Sequence, residues 1–124
     1  MKLFAKTHEW IEIKDGVAVM GISQYGADEM KALTYVELPE IGRKYASGES
    51  FGVVESTKAV QEIFAPVAGT VSEVNTELET DPEAVNRDAE GSGWICKFSE
   101  FDEAQINATM TREEYMAMVK SEQN

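Results

Sequence analysis

One lysine is placed where its ε-amine could take up a covalent modification. Lys58 lies between an apolar segment that begins at Phe51 and a second one that begins at Val60. The pattern predicts a hairpin with Lys58 at its tip, so that paired strands hold the tip still. Acylation of the amine would remove one positive charge and leave a flexible tether for chemistry that no side chain here supplies. The residues that would present the amine are Glu55, Ser56, Thr57 and Ala59.

The remaining reactive side chains do not form a recognisable catalytic or metal-binding set. His8 is the only histidine, so a histidine-rich metal site or a histidine-dependent triad would rest on one residue. Cys96 is the only cysteine and lies in an apolar stretch, where a small buried thiol is expected. Ser56 beside Lys58 lacks the pocket and oxyanion donors that nucleophilic catalysis needs. The chain is therefore expected to have no catalytic residue and no metal ligand of its own.

Composition indicates a single acidic globular domain. The 124 residues are 43% hydrophobic and 27% charged, with 23 acidic against 11 basic residues and a net charge of -12. Such a surface repels nucleic acid and anionic membranes, because binding to either depends on lysine and arginine. The same negative surface would attract the basic surfaces of other proteins during association. We expect one domain over residues 1–124, with a core at about 7–99 and a helical tail at about 101–121.

The cellular location is expected to be cytoplasmic, or organellar in a mature form from which a presequence has been removed. Charged residues interrupt the start of the chain before a secretory apolar segment can form. No run approaches the roughly 20 apolar residues of a membrane span. Because the modified amine must be reachable, we expect a monomer.

The elements that would position Lys58 are short strands. A strand, turn and strand are predicted from His8 to Ile22, followed by a helix from about Gln24 to Leu33 that Ser23 caps. Further strands are predicted at Tyr35 to Leu38, Phe51 to Glu55, Val60 to Ala65, Thr70 to Val74 and Trp94 to Phe98.

Helices are predicted mainly near the end of the chain. A brief helix is expected from Asp81 or Thr80 through Val85, and another from Phe101 to Ile106. A firmer one runs from Thr111 to Lys120, because a glutamate stands three residues after the Thr111 cap. Many short strands with few helices predict a mainly β fold with helical additions (α+β), arranged as a small barrel or sandwich.

The chain resembles the glycine cleavage system H protein family. Residues 55–59 are similar to the family's lipoyl-lysine motif, commonly Glu-Ser-Val-Lys-Ala, and the similarity covers about residues 7–115. Matching blocks are Thr7-His8-Glu9-Trp10, Val19-Met20-Gly21-Ile22-Ser23, Tyr35-Val36-Glu37-Leu38-Pro39-Glu40-Ile41-Gly42, Phe64-Ala65-Pro66-Val67-Ala68-Gly69 and Gly93-Trp94-Ile95. The chain departs from the family at Thr57, where valine is usual, and at Val60, where alanine is common.

The resemblance implies a hybrid barrel-sandwich fold of the lipoyl-domain type, with lipoic acid attached covalently to Lys58. It implies a non-catalytic carrier in glycine catabolism and one-carbon metabolism. In that scheme a pyridoxal-phosphate-dependent glycine decarboxylase (P protein) loads an aminomethyl group. An aminomethyltransferase (T protein) passes the one-carbon unit to tetrahydrofolate, and dihydrolipoyl dehydrogenase (L protein) reoxidises the arm. A lipoyl-attaching ligase or transferase would be a further partner.

Three other functions remain open from the sequence. An H-like lipoyl carrier that serves a lipoyl relay or a redox-linked modification system would use the same lysine. A biotin carrier would have a similar fold, but that family favours methionine on both sides of its lysine, where this chain has Thr57 and Ala59. An unmodified interaction module is the last alternative.

Overall fold

The computed structural model of the chain describes residues 2–105 and 110–122. Within these residues, nine strands form two sheets in which every pairing is antiparallel. The strands are β1 (Leu3–Phe4), β2 (Glu9–Lys14), β3 (Val17–Ile22), β4 (Leu33–Glu37), β5 (Lys44–Tyr45), β6 (Ser50–Ser56), β7 (Val60–Phe64), β8 (Gly69–Val74) and β9 (Cys96–Phe101). The helices are α1 (Gln24–Met30), α2 (Glu77–Thr80), α3 (Ala84–Arg87) and α4 (Arg112–Glu122), with a 3-10 turn at Glu103–Gln105.

The larger sheet has six strands in the order β1-β2-β3-β9-β8-β5. Its hairpin β2–β3 is closed by Asp15 and Gly16, both of which have positive φ, the backbone conformation that a tight hairpin turn needs. The smaller sheet has three strands in the order β4-β6-β7, and it carries the β6–β7 hairpin with Lys58 at its tip.

The core lies between the two sheets. The six-stranded sheet contributes Ile11, Met20 and Phe98, and the three-stranded sheet contributes Val54 and Ile63, each at most 2% exposed. The ring of Phe51 stacks on the ring of Phe98 with their centroids 6.0 Å apart, which joins strand β6 to strand β9. Close packing of apolar side chains between two sheets is the arrangement expected of a β sandwich or barrel.

Helix α4 covers a second, smaller apolar cluster. Tyr115 and Val119 of α4 pack with Phe4 and Trp10, and all four side chains are buried. The ring of Tyr115 stacks on that of Phe4 at 4.7 Å. The predicted start of this helix is confirmed. Glu114 accepts the Thr111 backbone N–H at 2.9 Å, and its own N–H donates to the Thr111 hydroxyl at 3.2 Å, as in a capping box.

Most predicted elements are confirmed, but several of them begin or end at residues other than the predicted ones. Helix α1 ends at Met30, because Lys31 has a φ of 64°, a backbone conformation that a right-handed helix does not contain. Leu33 was predicted as the last helical residue and instead begins β4. The last strand was predicted from Trp94 to Phe98, but β9 runs from Cys96 to Phe101, so the prediction of a helix starting at Phe101 was wrong. The 3-10 turn occupies part of that predicted helix, and Ile106 lies outside the described residues.

Three further elements were not predicted, namely α2, β1 and β5, of which β5 pairs with β8. Helix α2 lies before the brief helix that was predicted to begin at Asp81 or Thr80. Its residue Leu78 is fully buried. Strand β1 lies before the predicted core and pairs with β2 through Phe4 and Trp10. None of the helices in the described part of the chain is long and apolar enough to span a bilayer.

Candidate functional site

The tip of the β6–β7 hairpin presents Lys58 to solvent. Residues 57–59 connect the two strands, and both Thr57 and Lys58 are exposed. The Ser56 hydroxyl accepts the backbone N–H of Lys58 at 3.3 Å and that of Ala59 at 3.2 Å. The Ser56 N–H donates to the Ala59 carbonyl at 2.9 Å. A serine that folds the chain back on itself in this way holds the turn while leaving the lysine side chain outside it.

The base of the tip is anchored to the body of the protein. Ala59 is partly buried against the core, and Glu55 pairs with Tyr35 on the neighbouring strand β4. The Thr34 hydroxyl donates to the Glu55 carbonyl at 3.2 Å where the register of β4 shifts. The strands therefore hold the tip from both sides, as predicted from the sequence.

The Lys58 amine lies beside the end of helix α1. Its Nζ donates to the backbone carbonyl of Glu29 at 3.3 Å. Glu29 is in the last turn of α1, where carbonyl groups have no partner within the helix and are available to other donors. The sequence contains no signal for this contact, since it depends on how α1 packs against the hairpin.

A cleft of about 180 Å³ opens next to this contact. It lies between α1, strands β6 and β7, and the segment before β2. Three carboxylate residues line it, namely Glu9, Glu29 and Glu62. Apolar walls come from Ile22, Met30 and Val54. The cleft is thus acidic, and its lining residue Glu29 is the one whose carbonyl the Lys58 amine contacts.

Glu9 is the most buried carboxyl group of this cleft, at 3% exposure. One of its oxygens accepts the Phe64 backbone N–H at 3.1 Å, and the other accepts the Thr7 hydroxyl. Burial raises the pKa of Glu9 to about 7, because removal from water disfavours the charged form more than these hydrogen bonds favour it. The sequence places Glu9 at the start of a strand but did not mark it as a site residue.

His8 forms part of the cleft wall and is held by helix α4. Its Nδ1 lies 2.6 Å from the Tyr115 hydroxyl, which is also 2.6 Å from the hydroxyl of Ser23. His8 has a φ of 77°, an uncommon conformation for a residue other than glycine. Burial lowers the pKa of His8, which favours the neutral imidazole. His8 is thus held by hydrogen bonds at the end of the segment that precedes β2.

The described residues contain no group of side chains that could hold a metal ion. Cys96 is fully buried, and burial raises the pKa of its thiol, so the thiolate is disfavoured. The arrangement at Lys58 offers one accessible amine, a firm turn and an acidic cleft. Chemically, it can accept and position a covalently attached group.

Comparisons with known proteins show the family of the chain. The family profile described as "Glycine cleavage H-protein" matches residues 2–122. Among the curated relatives of the chain are two named "Glycine cleavage system H protein". The one from Alcanivorax borkumensis is 44% identical over 119 residues, covering 96% of this chain and 93% of the relative. The one from Thermotoga maritima is 38% identical over 122 residues, covering 98% of each chain.

A solved structure shows the same fold. The crystal structure of a glycine cleavage system H protein from Mycobacterium marinum superposes with a TM-score of 0.89 at 33% sequence identity, covering 96% of each chain. This likeness confirms the mainly β fold with helical additions and the hybrid barrel-sandwich architecture that the sequence resemblance implied. By its sequence and its fold, the chain belongs to the glycine cleavage system H protein family.

Proposed function

We propose that this chain is a lipoylated carrier of the glycine cleavage system, with the lipoyl group attached to Lys58 through an amide bond. The observation that carries the proposal is the exposed Lys58 amine on a turn that Ser56 holds with two hydrogen bonds. A ligase needs an amine that projects from a fixed backbone, and the tip provides one. The lipoyl group, once attached, would supply a disulfide whose reduction accompanies uptake of an aminomethyl group.

The residues around Lys58 have separate roles in this proposal. Acylation converts the ammonium into an amide that keeps one N–H, so the hydrogen bond to the Glu29 carbonyl remains available. This contact directs the root of the arm toward the cleft. Glu29 and Glu62 line the cleft together with Glu9, and the carboxylates of Glu29 and Glu62 suit a cargo that carries an amine. The cleft walls reduce the access of water to that cargo.

The proposed partners are those that the family implies. The P protein loads the aminomethyl group, the T protein transfers its one-carbon unit to tetrahydrofolate, and the L protein reoxidises the arm with NAD. A lipoyl-attaching ligase or transferase acts first. The chain is then a substrate shared by these enzymes and does not itself catalyse a reaction.

Attachment at Lys58 is tested by intact-mass measurement on protein made in a host supplied with lipoate. The wild-type chain is expected to carry a lipoyl-sized mass increment. Lys58→Ala and Lys58→Arg should both lack it, because neither side chain can form the amide, and Lys58→Arg keeps the charge. Lys120→Ala, which removes an exposed lysine of α4, is the control and should keep the increment. An unmodified wild-type chain would contradict the proposal.

The carrier role is tested by incubating lipoylated protein with glycine and P protein. Mass measurement should then show the aminomethyl group on the wild-type chain and nothing on Lys58→Arg. Lipoylated protein that stays unloaded while an established H protein is loaded in parallel would exclude the glycine cleavage role. It would favour a carrier for lipoyl relay or redox-linked modification, which uses the same lysine.

A further inference from the structure

An open groove lies along β4, an edge strand of the three-stranded sheet, and the residues that line it differ from those that line the cleft beside Lys58. It has a volume of about 560 Å³ and lies between strand β4 with the residues that follow it and helix α2. We call it the Tyr35–Ile41 groove. Its apolar lining includes Tyr35, Leu38, Ile41 and Val74, and its acidic lining consists of Glu37, Glu40 and Glu79.

This groove exposes apolar surface that the fold leaves uncovered. Tyr35 is 50% exposed and Ile41 is 62% exposed. Only four large hydrophobic side chains are exposed among the described residues, and these are two of them; the others are Val60 and Met116. Exposed apolar side chains that cluster in one concave place mark interaction surfaces more often than scattered ones do.

The groove begins at the base of the Lys58 hairpin. Tyr35 is the cross-strand partner of Glu55, which is in turn the partner of Val60 across the hairpin. These three positions form one row on the outer face of the sheet. A protein that binds the groove would therefore lie next to the tip that carries Lys58.

The negative charge of the groove favours a partner with a basic surface. Glu40 is 3.9 Å from Arg43, an exposed pair. In the part of the chain that the structure describes, no ion pair joins Glu37 or Glu79 to a cation. The net charge of -12 adds to this local field. Apolar side chains rimmed by free carboxylates fit a protein surface on which an apolar side chain stands between lysines or arginines.

We propose that the Tyr35–Ile41 groove is the docking surface for a basic patch of the P protein, separate from the arm that enters that enzyme. The inference rests on the proposed function. Docking in the groove positions the hairpin tip over the partner and leaves the arm free to move. Apolar contacts with Tyr35 and Ile41 hold the complex, whereas Glu37 and Glu79 accelerate its formation.

The test measures the dissociation constant between P protein and the unlipoylated full chain, which removes any contribution from the arm. Tyr35→Ser combined with Ile41→Ser should weaken binding about tenfold, since truncated apolar anchors dominate interface energies. The matched control is Met116→Ser, which removes an apolar side chain that is 43% exposed on α4. It should bind as the wild type does.

The charge contribution is tested with Glu37→Gln combined with Glu79→Gln. This variant should associate more slowly and lose part of the salt dependence of the association rate. Glu100→Gln combined with Glu113→Gln alters net charge equally at exposed positions outside the groove and is the control. The Michaelis constant of lipoylated groove variants in the P protein reaction should rise while kcat is unchanged.

Two results would overturn the inference. One is groove variants that bind P protein as tightly as Met116→Ser does. The other is unlipoylated wild-type protein that does not bind P protein although the lipoylated wild-type protein is loaded by it. Neither result concerns lipoylation, which the mass measurement on Lys58→Arg decides separately. Failure of the docking surface and failure of the carrier function are therefore distinguishable.

Discussion

At the scale of single residues, Glu9 shows how burial changes the charge state of a group beside the proposed arm. It is 3% exposed, and its pKa is raised to about 7 from the ordinary value of 4.5. Between these two pH values the unfolded chain has lost the Glu9 proton while the folded chain retains it. The contribution of Glu9 to stability therefore falls as pH rises from about 4.5 to about 7, and it is constant above that range.

The variant Glu9→Gln should remove this pH dependence. Glutamine can still accept the Phe64 N–H and contact the Thr7 hydroxyl, but it has no charge to desolvate. Above pH 7 the variant should be more stable than the wild type by at most about 3 kcal/mol, since one pKa unit corresponds to about 1.36 kcal/mol. Urea unfolding at pH 5 and pH 8 measures the difference, to which His8 contributes equally in both proteins. An equal pH dependence in the two proteins would contradict the pKa assigned to Glu9.

At the scale of elements, helix α4 and the cleft wall are joined through one hydroxyl group. Tyr115 of α4 contacts both His8 and Ser23 through its oxygen, while its ring stacks on Phe4. Ser23 also accepts the Gly26 N–H at 3.0 Å as the cap of α1. The hydroxyl therefore connects α4, α1 and the segment before β2, three elements that are far apart in the sequence.

Removing that hydroxyl should destabilise the fold without changing its shape. Tyr115→Phe keeps the stacked ring and leaves the buried Ser23 hydroxyl and the His8 ring nitrogen short of a partner. A buried polar group without a partner costs about 1–3 kcal/mol, so we expect a loss in that range in urea unfolding. Tyr35→Phe, at a position that is 50% exposed, should change stability by less than about 0.5 kcal/mol. Equal losses in the two variants would show that the Tyr115 hydrogen bonds contribute nothing specific.

At the scale of the whole molecule, the sequence was most informative where local pattern decides structure. The β2–β3 hairpin, the Ser23 cap and the capping box of Thr111 and Glu114 were all predicted, because each depends on neighbours in the chain. The tip at Lys58 was predicted for the same reason. Helix α2 was missed because its four residues form less than two turns, and packing of Leu78 in the core stabilises it more than local preference does.

The cleft and the groove could not be predicted because they depend on contacts between distant segments. The cleft joins the segment before β2 to α1 and to the β6–β7 hairpin, and nothing local to Glu9 indicates that it will be buried. The extension of β9 to Phe101 similarly depends on its pairing with β8 at Gly69. Tertiary packing decides these features, and one sequence carries no direct record of it.

The whole-molecule charge leads to a last prediction. With 23 acidic and 11 basic residues, the folded chain brings like charges closer together than the unfolded chain does. Raising NaCl shortens the Debye length from about 30 Å at 0.01 M to about 3 Å at 1 M. The free energy of unfolding should therefore rise with NaCl concentration, which is opposite to the behaviour of a fold held together by surface ion pairs.

A charge variant separates this repulsion from general salt effects. Glu100→Gln, Glu103→Gln and Glu113→Gln together neutralise three exposed carboxylates and change the net charge from -12 to -9. The triple variant should be more stable than the wild type at low salt, and the two should converge at high salt, because screening removes the same repulsion that the substitutions remove. Urea unfolding across the NaCl series measures both. A constant difference at all salt concentrations would show that the substitutions act through local contacts and that net repulsion is not a significant cost of this fold.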